Sequence, residues 1–120
     1  MRLWHYKLIP HLPRQQLLGQ HRECCALRGN AWGKKHSVVD YVFKHPYSYL
    51  VQYHWKIMDE MEARGYSPDP KWRELRYAGK NRPAVMAAFW RGTYPEHNDA
   101  YLQECLENLK QKGVEIDAIL

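Results

Sequence analysis

Residues 17–30 read LLGQHRECCALRGN. Leu17, Leu18, His21, Cys24 and Cys25 recur at spacings of three and four, the period of one helix face. Pro13 suits the first turn and Gly29 the stop, so the spacing predicts a helix over Pro13–Arg28. Gln15, Gly19, Arg22, Glu23 and Ala26 share the other face. Glycine inside a helix costs roughly 1 kcal/mol relative to alanine. Its place beside an arginine and a lone carboxylate raises the question of what approaches there.

The same period returns twice downstream. Pro46 opens and Gly65 closes a second helix, with Leu50, His54, Ile57, Met58 and Met61 as its apolar stripe. A third runs from about Pro95 to Lys112, turning Leu102, Cys105, Leu106 and Leu109 inward, with Gly113 as its stop. Asn30–Lys44 is a basic turn followed by an apolar patch of Val38, Val39, Val42 and Phe43. Ser67–Pro95, bounded by prolines and rich in turn signals, predicts a loop with one or two short helices. No period-two run suggests a strand. A chain of 120 residues, 45% hydrophobic, can bury a core without staples. The expectation is one all-α domain over residues 1–120, three principal helices in one compact layer.

Composition narrows the function. No apolar run approaches the roughly 18 residues of a membrane span, and MRLWHYKLIPHLPR has no signal-peptide h-region. Three cysteines, two of them adjacent, make no disulfide framework and suggest reduced thiols in a cytoplasmic protein. The net charge of +5 is unevenly placed. Residues 1–46 carry eight Lys/Arg against two Asp/Glu, and residues 71–94 six against one, whereas the intervening and last segments are acidic. That pattern predicts an electropositive face for a polyanion.

Candidate chemistry is sparse. His21 and Cys24 stand at helical spacing, yet no second pair completes a zinc shell, so no metal is expected. Without a GxSxG elbow, a GxxxxGK[ST] loop or a GxGxxG turn, neither an activated serine nor a nucleotide cofactor is implied. Lys71, Arg73, Arg76, Lys80, Arg82 and Arg91 alternate with Trp72, Tyr77, Phe89, Trp90 and Tyr94. Cations neutralise phosphates and aromatic faces stack on bases, although Phe89 and one tryptophan are expected in the core. A non-catalytic nucleic-acid-binding module with this basic, aromatic face is the alternative to an enzyme. An α-amine, with a reference pKa of about 7.7–8, is partly unprotonated near neutrality. Arg2 and Arg22 would lower that value further. Such an amine can attack an electrophilic sugar carbon while Glu23 moves protons or stabilises the cation.

The order MRLWHYKLI…LPRQQLLGQHRE resembles the start of the pyrimidine-dimer DNA glycosylase (endonuclease V) family. The likeness continues in GKKHSVVDYVF, YLVQYHWKIMDEMEARGYSPD and YPEHNDAYLQECLENL. It implies a DNA glycosylase with an associated abasic-site lyase, acting as a monomer on damaged or abasic double-stranded DNA without a cofactor. Met1 then supplies the nucleophilic amine, Glu23 the catalytic carboxylate, and Arg2 and Arg22 the phosphate contacts. Gln16 stands where the phage member has histidine, and Arg28 takes the place of an arginine after the glutamate. Lys34, Lys35, Lys71 and Arg73 are the further cations expected at DNA. The chain ends EIDAIL, without the family's aromatic tail, which leaves the lesion open.

Overall fold

The structure, a computed structural model, describes residues 2–33 and 39–117. Among these there is no strand; three helices and three short 3-10 turns form an all-α fold. Helix α1 spans Arg14–Arg28, α2 Tyr47–Ala63 and α3 Asp99–Gln111. The 3-10 turns are Tyr6–His11, Asp40–Lys44 and Pro70–Arg73. No described helix is long and apolar enough to cross a membrane.

Helices α1 and α2 pack on each other, with the Tyr6–His11 turn across α2 and the first residues of the chain between them and α3. The expected α2 stripe is buried in full. The α1 stripe is rotated from expectation. Leu17, Gln20, Cys24, Leu27 and Arg28 are buried, whereas Leu18, His21 and Cys25 are half-exposed. Two polar side chains therefore occupy core positions because backbone groups from elsewhere meet them there.

Helix α3 begins four residues later than Pro95. Asn98 is extended, and its side chain accepts from Tyr101 N–H at 2.9 Å, an N-cap that sets the first turn. Cys105 and Leu109 are buried, with Leu102 and Leu106 packed against the core.

Between Pro70 and Tyr94 only Pro70–Arg73 is helical. Val85 N–H donates to Arg76 O at 2.8 Å and closes a loop; the chain then runs as an extended strap along α2. Ser48 and Gln52 side chains bond Trp90 and Gly92 of that strap. At 100° per residue, Ser48 and Gln52 lie on the side of α2 opposite the core stripe. Phe89 is thus 46% exposed rather than in the core, its ring stacked on Trp55, and Trp90 is 63% exposed. Gly92 permits this course, since a Cβ there would overlap the Tyr49 ring.

Candidate active site

The first residues are held by side chains from three directions. Gln20 of α1, 2% exposed, accepts from Trp4 N–H at 2.7 Å and donates to Arg2 O at 3.0 Å. Tyr53 of α2 donates to Trp4 O at 2.6 Å, with Gln20 Oε1 3.0 Å from the same hydroxyl. Tyr101 of α3 donates to Leu3 O at 2.5 Å, and Tyr6 N–H donates to His97 Nδ1 at 3.2 Å. Burial holds the Tyr53 hydroxyl well above its ordinary pKa, so it stays protonated and remains a donor. Because His97 Nδ1 accepts, its proton sits on Nε2, 2.7 Å from Tyr41 OH. Burial lowers the His97 pKa to about 3, with the neighbouring His5 adding to the effect.

This clamp delivers Arg2 to the rim of a cavity of about 400 Å³ on the side of α1 turned away from α2. Arg2, Gln16, Arg22 and Glu23 all line it, with Gln15, Gly19 and Gln20 of α1 and Asn108 and Lys112 from the end of α3 and beyond. Arg2 is oriented by Glu104 at 2.6 Å and lies against the Tyr101 ring. Arg22 is exposed. One carboxylate oxygen of Glu23 is buried and has no hydrogen-bond partner among the described residues. A buried acceptor left unpaired costs about 1–3 kcal/mol, which a proton donor in the cavity would recover. A Cβ on Gly19 would meet only the Arg22 guanidinium, at 3.6 Å. The fold itself therefore does not require glycine there.

Among the described residues, the other expected DNA contacts, Arg28, Lys71 and Arg73, do not line this cavity. Arg28 is corrected by its burial: it is 1% exposed and donates to the carbonyls of Trp72, Glu74 and Tyr77 at 2.6, 2.7 and 3.3 Å. The two terminal nitrogens of this guanidinium are spent on holding the 72–77 segment, and its burial keeps it from a phosphate at the surface. Arg73 is likewise engaged, with Asp59 at 2.8 Å and Glu62 at 2.7 Å on α2. Lys71 is exposed on the Pro70–Arg73 turn and is not among the residues that line the cavity. Met1, Lys34 and Lys35 lie outside the described residues.

A second polar cluster sits between α1 and α2. His21, Cys25 and His54 place ligand atoms within 4.8 Å of one another. Here Cys25, not Cys24, is the partner of His21; Cys24 is buried in the core. Arg28 Nη1 lies 3.0 Å from His54 Nδ1, and an arginine can only donate. His54 therefore carries its proton on Nε2 and donates to His21 Nδ1 at 2.8 Å. The nitrogen facing this cluster offers no lone pair, and the geometry is that of a hydrogen-bond chain. Burial, then the Arg28 charge, lowers the His54 pKa to about 2.

Sequence reasoning missed Gln20, Trp4, Asn108 and Lys112. Gln20 was detectable as the polar member of a 17, 20, 24, 27 stripe. The spacing of four between Asn108 and Lys112 carries no signal of its own.

A family model described as pyrimidine dimer DNA glycosylase matches residues 1–74, more than half of the chain and all of α1 and α2. No curated protein matches the chain. No solved structure matches it either.

Proposed function

The chain belongs to the pyrimidine dimer DNA glycosylase family, and from that premise we propose that it is a DNA glycosylase with an abasic-site lyase step, acting on pyrimidine dimers or related base lesions. The observation that carries this reading is the convergence of Arg2, Arg22 and Glu23 on one cavity, beside a chain start fixed by the Gln20–Tyr53–Tyr101 clamp. The terminal amine of Met1, unprotonated, attacks C1′ of the damaged nucleotide. The C1′–N bond breaks, the base departs with that electron pair, and the attacking nitrogen gives up a proton. Opening of the sugar yields an imine. Removal of a C2′ proton then expels the 3′ oxygen and cuts the strand.

Glu23 is the carboxylate within reach of this cavity to stabilise the positive charge that develops on sugar and imine and to shuttle protons. Arg2 and Arg22 supply the phosphate contacts, and the cavity takes a nucleotide turned out of the duplex. Extrusion costs a few kcal/mol, least at damaged or abasic positions, so distorted duplexes are the preferred substrates.

Borohydride trapping on an abasic duplex tests the reading. A covalent adduct is expected with a free amine and is lost on acetylation, while duplex binding remains. Glu23→Gln should slow trapping by about 10²–10³-fold, the usual effect of removing such electrostatic support. An adduct formed by the amine-blocked protein would move the nucleophile to a lysine and overturn the assignment.

A further inference from the structure

The described chain exposes three large apolar side chains, and all fall within five residues of the strap: Met86 at 88%, Phe89 and Trp90. Such residues project outward because the strap backbone is tied down beneath them. Ser48 Oγ both donates to Trp90 O and accepts from Trp90 N–H at 2.9 Å. Gln52 reaches Trp90 O at 2.7 Å and accepts from Gly92 N–H at 3.2 Å. The Phe89 ring lies on Trp55 with an interplanar angle of 20°. The aromatic surface is thus preformed, and binding to it costs little ordering.

Its electrostatics are one-sided. Leu75–Pro95 contains Arg76, Lys80, Arg82 and Arg91 and no acidic residue. A groove of about 230 Å³ runs beside the Trp55–Phe89 pair, flanked by exposed Lys56 and Arg91. Its one carboxylate, Asp59, is paired with Arg73. The groove and the Glu23 cavity share no lining residue: the first lies along α2 and the strap, the second along α1 and the end of α3.

We propose that this outer face of α2, with its strap, is a second nucleic-acid surface that binds single-stranded DNA, stacking bases on Phe89, Trp90 and Trp55 and seating phosphates on Lys56 and Arg91. Apolar rings alone would suit a protein partner equally. The flanking cations, with the groove's carboxylate already neutralised, favour a ligand that joins planar apolar faces to a regular anionic backbone. The surface lies beyond the residues matched by the family model, apart from Trp55, Lys56 and the α2 anchors, and it does not depend on the amine chemistry proposed for the cavity.

Fluorescein-labelled oligo(dT) is the probe, titrated by anisotropy against the whole protein. Binding is expected, with quenching of tryptophan emission and weakening as salt rises. Phe89→Ala with Trp90→Ala should weaken it at least tenfold, and Lys56→Glu with Arg91→Glu should flatten the salt dependence. Both variants change exposed side chains outside the Glu23 cavity, and borohydride trapping on an abasic duplex, which reads that cavity, should stay unchanged in them. Absence of oligo(dT) binding overturns the proposal, as does binding undiminished in the ring variant. A wild-type dimer in sedimentation that becomes monomeric in that variant would assign the surface to a second copy and equally overturn it. Loss of trapping with oligo(dT) binding intact would instead sink the lyase reading alone.

Discussion

Arg2–Tyr6, irregular as far as His5, and Pro83–Gly92, irregular throughout, are held in opposite ways. The first is gripped by buried side chains from α1, α2, α3 and the turn before α3. The second rests, as far as Gly92, on Ser48 and Gln52 of a single helix and turns Phe89 and Trp90 to solvent before Tyr94 enters the core. The difference is one of cooperativity. The grip on Arg2–Tyr6 exists only when all the helices are assembled, so it shares the stability of the whole fold. The strap between Pro83 and Gly92 draws on fewer buried contacts, so its opening is expected at a lower free energy than unfolding of the whole.

Acid is the strongest way to break the comparison. Burial keeps His54 and His97 neutral in the fold, with pKa values of about 2 and about 3. The unfolded chain protonates both near 6.5. Stability is therefore present above that value and falls with pH until the folded pKa values are reached. Two withheld protons amount to about 4 kcal/mol lost between pH 7 and 5, to be read as a fall in the urea midpoint with its slope unchanged. Equal midpoints at the two pH values would mean that neither histidine is as deeply buried as described.

Gln20→Ala should come next. It leaves Trp4 N–H and Arg2 O without partners in a buried setting, at about 1–3 kcal/mol each. Thermal denaturation should show the loss. At temperatures where the variant is still folded, trapping should slow through kcat more than KM, because the start of the chain loses its register. Trapping as fast as wild type would detach the clamp from the chemistry.

Gly92→Ala presses a methyl group into Tyr49, an overpacking cost of about 1–3 kcal/mol. Here the strap should yield first. Hydrogen exchange is expected to quicken at Trp90 and Gly92 while the amides of Trp4 and Tyr6 keep their protection. If both segments lose protection together, the strap is part of the core and the contrast drawn above fails.

Gly19→Ala has the smallest effect and the most informative sign. The site has room for a Cβ, so the fold should gain about 0.5–1 kcal/mol from helix propensity. Affinity for abasic duplex should nonetheless fall, since the added methyl intrudes on the cavity. A stabilised variant that binds as well as wild type would show that nothing approaches Gly19.

The helices were legible because their periods are local: α2 needed only its own residues, and the Glu23 face of α1 was visible from spacing alone. What escaped was set by distant backbone. Gln20 is buried because residues 2–4 bring it a carbonyl and an amide, and Arg28 because three carbonyls from 72–77 surround it. Neither partner is recorded in the pattern of α1. The strap misled for a related reason. Phe89 looks like a core residue until Ser48 and Gln52 are seen to fasten the strap's backbone to the outside of α2. The late start of α3 turned on one side-chain bond from Asn98.

Arg28 has a consequence for how the molecule can be divided. Its carbonyl ligands fall on both sides of residue 74, where similarity to the family model ends. Cutting there would remove the Tyr77 carbonyl and fray the turn that presents the other two. The cation would be stranded in an apolar interior with no carboxylate partner among the described residues, a condition that costs several kcal/mol. The stretch matched by the family model thus does not mark a unit able to fold by itself. The remaining residues complete the solvation shell of a charge that α1 has already committed to the core.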